Sequence, residues 1–239
     1  MGVNKMSQWI FKPILVLMAF LFLSTAASAL GYGSKVMPTD PDEAEALSPF
    51  YAGPEFAFID LSNNGVFEPG DPVYLNINPS DGTVSENDVR ITSFDTLAAG
   101  TQVQAADPDH DKILVRFGTY RYPAAELRYF DMDGDKSYSI NDPVYLDFSP
   151  GEVSAGDIRI TGYPGVSPLV GYEPATRVSD ADPDSGKPTT TLPGVFGFYN
   201  FFGNVNNGGW AVYDGGDVIY LDTQYPFNTI TVNDIRLSI

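Results

Sequence analysis

Residues Asp131 to Asp142, DMDGDKSYSIND, place side-chain oxygens at positions 1, 3, 5, 9 and 12 of one short stretch: Asp131, Asp133, Asp135, Ser139 and Asp142. The backbone carbonyl of Ser137 lies between them at position 7. A hard cation such as Ca2+ takes about six to eight oxygens, and a chain curling round it supplies them at this spacing. Asp, Ser and Asn also favour metal-free Asx turns, but three alternating carboxylates repel one another unless a cation lies among them. A second stretch, Asp60 to Asp71 (DLSNNGVFEPGD), sets Asp60, Ser62, Asn64, Glu68 and Asp71 at the same positions, with the Val66 carbonyl at position 7. It carries Gly65 at position 6, where the sharp turn favours glycine. Lys136 holds that position in the other loop, and a non-glycine residue at positive φ is uncommon but allowed. Position 8 is aromatic in both, Phe67 and Tyr138, and is expected to face the core.

The two loops resemble the calcium loops of the EF-hand superfamily, most closely those of dockerin type I repeats, which close with Asp at position 12. The resemblance covers the loops alone and implies calcium binding at the matched positions. It does not carry over recognition through helices, because the exits here are PVYLN (72–76) and PVYLD (143–147), short alternating runs that read as strands.

Positioning these loops falls to a repeat. SKVMPTDPD (34–42), TQVQAADPD (101–109) and TRVSDADPD (176–184) each precede an aromatic stretch, a loop, a V-Y-L or I-Y-L strand and a closing strand, DVRIT, DIRIT or DIRLS. The chain therefore divides into residues 1–29, then tandem β repeats over 30–94, 95–163 and 164–239, an all-β fold with sandwich- or barrel-like packing. In the third repeat, counting back from Asp217 puts positions 1, 3 and 5 on Asn206, Gly208 and Trp210. Only Asp214 and Asp217 remain as carboxylates there, so weak or no calcium is expected unless Asn204 to Gly209 makes a longer loop. The turns VSEND, VSAGD and ITVND before the closing strands copy the last five loop positions, and their Asp residues are expected to cap backbone amides.

On the strands, Val73, Leu75, Val144, Leu146, Ile219 and Leu221 share the core face with Val89, Ile91, Ile158, Ile160, Ile235 and Leu237. The opposite face carries Tyr74, Tyr145 and Tyr220 beside Arg90, Arg159 and Arg236, expected to be an outer face with or without cation–π contacts. The DPD carboxylates, Asp40 with Asp42, Asp107 with Asp109, and Asp182 with Asp184, either complete a calcium site or cap turns between units.

Met1 to Ala29 reads as a secretory signal peptide, with Lys5 and Lys12 flanking an apolar run too short to span a membrane and Ala27-Ser28-Ala29 as the cleavage pattern. Removing those two lysines takes the net charge of −18 to −20 (−18 − 2). Such acidity repels nucleic acid and anionic membranes and attracts cations. With 0 cysteines, metal is the available staple for small secreted units. The lone histidine, His110, lies in DPDHDK, and no nucleophile elbow or phosphate-cradling glycine loop is present, so no enzyme is expected. The expected function is a secreted, calcium-stabilised structural protein of a cell surface, sheath or filament, self-associating through Leu30 to Val36 and the edge strand Asp234 to Ile239. The alternative is an adhesin or carbohydrate-binding module using aromatics such as Trp210 and Tyr213.

Overall fold

The computed structural model describes residues 31–50, 53–118, 125–164, 171–201, 203–206, 211–224 and 227–238. Residues 1–29, expected to be a signal peptide, and Leu30, Gly208 and Trp210 therefore lie outside the described residues. Among those residues the structure contains strands and turns only, β1 (Ser48–Pro49), β2 (Glu55–Phe58), β3 (Val73–Asn76), β4 (Val89–Arg90), β5 (Val115–Arg116), β6 (Glu126–Tyr129), β7 (Val144–Asp147), β8 (Ile158–Arg159), β9 (Thr190–Thr191), β10 (Val195–Tyr199), β11 (Val218–Asp222) and β12 (Ile235–Arg236).

They form three antiparallel sheets of four strands each, ordered β4-β3-β2-β5 in unit A, β8-β7-β6-β9 in unit B and β1-β10-β11-β12 in unit C. The apolar faces meet in one shared core: Val73 and Leu75 from A, Val144 and Leu146 from B, and Ile219 and Leu221 from C all belong to a single buried cluster. The all-β class expected from sequence is present, and its packing is three sheets sharing one core. Alternation explains the result, because a strand with one apolar face must bury it against another element, and here each sheet buries its face against the other two.

The strand pairing expected from sequence is present: Tyr74 stands opposite Arg90, Tyr145 opposite Arg159 and Tyr220 opposite Arg236. Their face is not an outer one, since all six residues are no more than 2% exposed. The segments bearing the DPD motifs cover it. Arg90 donates through Nε to Asp109 Oδ2 (2.8 Å) and through Nη2 to Asp109 Oδ1 (2.8 Å) and Asp107 Oδ2 (2.7 Å), while the Tyr74 hydroxyl donates to Asp109 Oδ2 (2.7 Å). Arg159 and Tyr145 repeat the pattern on Asp184, with Asp182 as the second acceptor of Arg159. Arg236 and Tyr220 repeat it on Asp42, with Asp40 as the second acceptor of Arg236. Burial by itself would lower each guanidinium pKa, but the facing carboxylates outweigh it and hold all three above the ordinary value.

The expected repeat boundaries need correction on this point. Each DPD segment completes the sheet before it in the ring, not the sheet that follows it in sequence. Residues 100–116 close unit A and residues 175–191 close unit B, whereas unit C is closed by residues 33–49 from the other end of the chain. The hydrogen bonds coincide: Gly100 N to Arg90 O (2.7 Å), Ala175 N to Arg159 O (2.7 Å) and Gly33 N to Arg236 O (2.8 Å). Val103, Val178 and Val36 then donate to the carbonyls of Asp88, Asp157 and Asp234, each at 2.8 Å. The left-handed turns recur too, with φ of 76° at Gly100, 68° at Ala175 and 72° at Gly33. Residues 33–36 and β12, each expected to recruit another chain, instead satisfy one another.

One further side chain on each closing segment grips a neighbouring unit. Arg177 of B donates to Asp71 O of A (2.6 Å) and lies 4.9 Å from the Phe67 ring centre. Gln102 of A donates to Asp217 O (2.9 Å) and the Tyr213 hydroxyl (2.7 Å) of C. Lys35 of C donates to Asp142 O (2.5 Å), Ser139 O (2.9 Å) and Ile140 O (3.0 Å) of B and sits 4.5 Å over the Tyr138 ring. The grips run A to C, C to B and B to A, closing a ring.

Removing one partner of a buried ion pair leaves an uncompensated charge and typically costs about 3–5 kcal/mol. Arg90 and Asp109 have side chains 1% and 0% exposed. Asp109→Ala should therefore lower the unfolding free energy extracted from urea titrations by that order, while Asp111→Ala, whose side chain is 85% exposed, should leave it almost unchanged.

The acidic groups also set a pH profile. Burial pushes Asp88, Asp157 and Asp222 up to about 6, so the folded state loses stability as pH rises from about 4 to 6. Asp42, Asp107 and Asp182 are held below the ordinary value: the Gln104 amide leads for Asp107, and for the other two desolvation, the largest single cause, raises the pKa but is outweighed by the arginine together with Tyr220 for Asp42 and Ser179 for Asp182. Their contribution is present above about pH 4 and is lost as pH falls further. Metal-free protein should melt highest near pH 4, and its melting temperature should fall as pH rises from there to about 6 and as pH drops below it. Asp222 occupies the position held by Asn76 in unit A, and Asp222→Asn should raise the melting temperature at pH 7.5 and change it little at pH 4.5.

Candidate metal centres

Each loop springs from the end of one strand and returns into the next. Asp60 follows β2 and Asp131 follows β6 by the same offset, and the strands they re-enter, β3 and β7, are buried throughout. That fixes the loop ends and leaves the middle exposed.

In the second loop the Asp131 carboxylate accepts from Gly134 N (2.7 Å) and Lys136 N (2.8 Å), and Asp135 Oδ1 accepts from Ser137 N (2.7 Å). In the first loop Asp60 Oδ2 accepts from Gly65 N (2.7 Å), and Asn64 Oδ1 accepts from Val66 N (2.7 Å). Positions 4 and 6 are left-handed in both, with φ of 52° at Asn63, 78° at Gly134, 74° at Gly65 and 68° at Lys136. The two loops thus share one curled backbone, and Lys136 takes the conformation expected of a glycine there. The Lys136 amide is foremost among the donors that hold the Asp131 carboxyl below the ordinary carboxylate range.

The curl gathers the candidate ligands. Asp131, Asp133 and Asp135 each present a carboxylate oxygen, and these lie within 4.8 Å of one another, with Asp133 and Asp135 exposed. In the first loop the polar atoms bond among themselves, Ser62 Oγ to Asp60 Oδ1 (3.2 Å) and Asn64 Nδ2 to Glu68 Oε1 (3.0 Å), so Asp60, Ser62, Asn64 and Glu68 also converge. A set of hard oxygens on an exposed curled loop fits Ca2+ chemistry. Ser139 Oγ is buried without a hydrogen-bond partner.

Position 12 has another occupation. Asp71 accepts from Leu61 N (3.0 Å) and Glu68 N (2.9 Å), Asp142 from Met132 N (2.8 Å) and Ser139 N (2.8 Å), and Asp217 from Phe201 N (2.9 Å) and Asp214 N (3.1 Å). All three are buried, at 2%, 0% and 1% exposed. Asp88, Asp157 and Asp234 cap the shorter turns in the same manner, Asp157 for example accepting from Phe148 N (3.0 Å) and Ser154 N (2.7 Å). The position-12 carboxylates therefore close turns through amides, a role legible in the half-loops but not extended from them to the full loops.

The third loop is also corrected. Phe198, Tyr129 and Phe58 hold one register position against Ile219, Val144 and Val73, so Asn200 corresponds to Asp60 and Asp131. Phe201 N bonds to Asp217 as Leu61 N does to Asp71, and Asn200 Oδ1 accepts from Asn204 N (3.0 Å). Position 1 is thus Asn200 and not Asn206, and the loop from 200 to 217 is six residues longer than the 60 to 71 loop. The DPD residues Asp40, Asp42, Asp107, Asp109, Asp182 and Asp184 serve the arginines, so the metal alternative for them is set aside. The missed signal was available in sequence: three arginines on one strand face and three acidic pairs in step with them, in a chain with only 13 basic residues.

The chain matches no family model, and no curated protein or solved structure is significantly similar to it.

The two kinds of aspartate separate experimentally. Asp142→Ala should lower the melting temperature equally with calcium and with chelator, because it removes a turn cap. Asp131→Ala should have its main effect in calcium, which a thermal shift series at both conditions would measure.

Proposed function

We propose that this chain is a secreted, calcium-stabilised structural protein of a cell surface, sheath or extracellular filament. The observation that carries the reading is the convergence of the Asp131, Asp133 and Asp135 oxygens within 4.8 Å on a curled loop anchored at both ends. Asp60, Ser62, Asn64 and Glu68, with the carbonyl of Val66, form the second proposed site, and Ser137 and Ser139 add oxygens to the first. Acidity of −18 favours cations over nucleic acid or anionic membrane. Among the described residues no helix is long and apolar enough to cross a membrane. The leader-like residues 1–29 support secretion, and the ring of buried ion pairs supports a structural role, since its charged groups are occupied with one another rather than displayed to a substrate. Adhesin or carbohydrate recognition gains less, because Tyr213 is bonded to Gln102 and packed against Phe50 and Phe198.

Extracellular calcium modules often have dissociation constants of about 10⁻⁴ to 10⁻³ M, and ligand at about a hundred times that constant stabilises by about 2.7 kcal/mol per site. Titration calorimetry of the mature protein should show two calcium equivalents, falling to one in Asp131→Ala and in Asp60→Ala. A titration without heat, together with a melting temperature indifferent to chelator, refutes the calcium reading.

A further inference from the structure

Among the three sheets of the described residues, unit C alone has a closing segment that does not follow its closing strand in sequence. Arg90 reaches Asp107 and Asp109 across 17 and 19 residues, and Arg159 reaches Asp182 and Asp184 across 23 and 25. Arg236 reaches Asp40 and Asp42 across 196 and 194. The bonds joining this segment to unit C are entirely noncovalent, and it connects to the next strand, β2, through only five residues, 50–54, bracketed by Pro49 and Pro54. Short connections favour exchange of an element between copies over folding back within one.

Without the segment, unit C would be left with defined and unusual demands. Arg236, 2% exposed in the closed chain, would lose both carboxylates, and the Tyr220 hydroxyl would lose Asp42. Tyr220 and Ile230 would lose the apolar cover of Val36 and Leu47. The backbone of Asp234 and Arg236 would lose its pairing with residues 33–36. Residues 100–116 and 175–191 meet the same demands but are held in A and B. The matching piece is residues 33–49 of another molecule.

We propose that the closing groove of unit C is an assembly site whose partner is the 33–49 segment of a second copy of this chain. Exchange creates no new interface chemistry. It transfers the Arg236 to Asp40 and Asp42 pairs, the Tyr220 to Asp42 bond and the Lys35 grip on unit B from one chain to two. Reciprocal exchange between two copies closes a dimer, whereas non-reciprocal exchange is heterologous and propagates head to tail. Closure within one chain competes with an effective concentration on the order of millimolar for a short tether, so exchange prevails where copies are crowded. This rests on the self-associating reading above but not on calcium, and its test is run in chelator so that failure leaves the calcium sites untouched.

Two full-length variants supply the test. Asp40→Lys with Asp42→Lys disables the donor, and Arg236→Asp disables the acceptor. Neither closes its own unit C, yet the intact donor of the second fits the intact acceptor of the first. Refolded together, they should give a one-to-one complex in light scattering, with a melting temperature above that of either alone. A mixture that stays as two separate, heat-labile monomers overturns the proposal. If the variants do not fold, unmodified chain decides: refolded at about millimolar concentration, it should yield multimers that vanish when a flexible insert lengthens residues 50–54. Unmodified chain that refolds only to monomer at that concentration also overturns it.

Discussion

A buried arginine held by two aspartates and a tyrosine is the interaction on which each sheet depends. A guanidinium taken out of water is costly unless its donors are met. In this ring the Nε and Nη2 donors of Arg90, Arg159 and Arg236 all find carboxylates. The consequence is architectural. A strand carrying Arg on its second face cannot be left half covered, so each sheet must be closed by a segment that brings an acidic pair, and the fourth strand arrives with that segment.

The same segments tie the units together. Lys35, Gln102 and Arg177 sit at equivalent places and differ in chemistry, yet each donates to the carbonyl of the aspartate that ends a neighbouring loop. Burial lowers the Lys35 ammonium to about 7, with the Asp142 carboxylate opposing that shift. The loops are therefore part of the frame at their last residue and at aromatic position 8, which packs on the core, while most of the positions between and before them are exposed in units A and B. Rigidity at one end is what allows the Asp131, Asp133 and Asp135 oxygens to converge without a covalent staple in a chain that has 0 cysteines.

Turn closure by aspartate is used in long and short forms alike. Asp71, Asp142 and Asp217 cap in the way that Asp88, Asp157 and Asp234 do, accepting amides before and within the turn. Loop and half-loop are thus variants of one element, a turn that begins with an amide donor, ends with a buried carboxylate and feeds a strand. Carboxylates at the early positions, Asp60 in unit A and Asp131, Asp133 and Asp135 in unit B, are an addition to that element, and unit C, with Asn200 at the first position and six extra residues, keeps the closure while replacing the additions.

Much of this was written in local pattern. Alternation named the buried residues of β3, β7 and β11, because a period of two on a strand has one meaning, and the cross-strand partnership of Tyr74 with Arg90 followed from it. The curled loop with a left-handed sixth residue was also local, set by Asp and Asn side chains bonding amides a few residues away. Three things were decided by tertiary structure. The Tyr and Arg face is buried because a segment distant in sequence covers it. The repeat boundaries shift because that segment serves the sheet already made. Position 1 of the third loop is Asn200 because strand register, not residue counting, fixes where a loop begins. Each depends on which groups meet across long separations, and hydrophobic period and turn chemistry, which act within a few residues, carry no record of that.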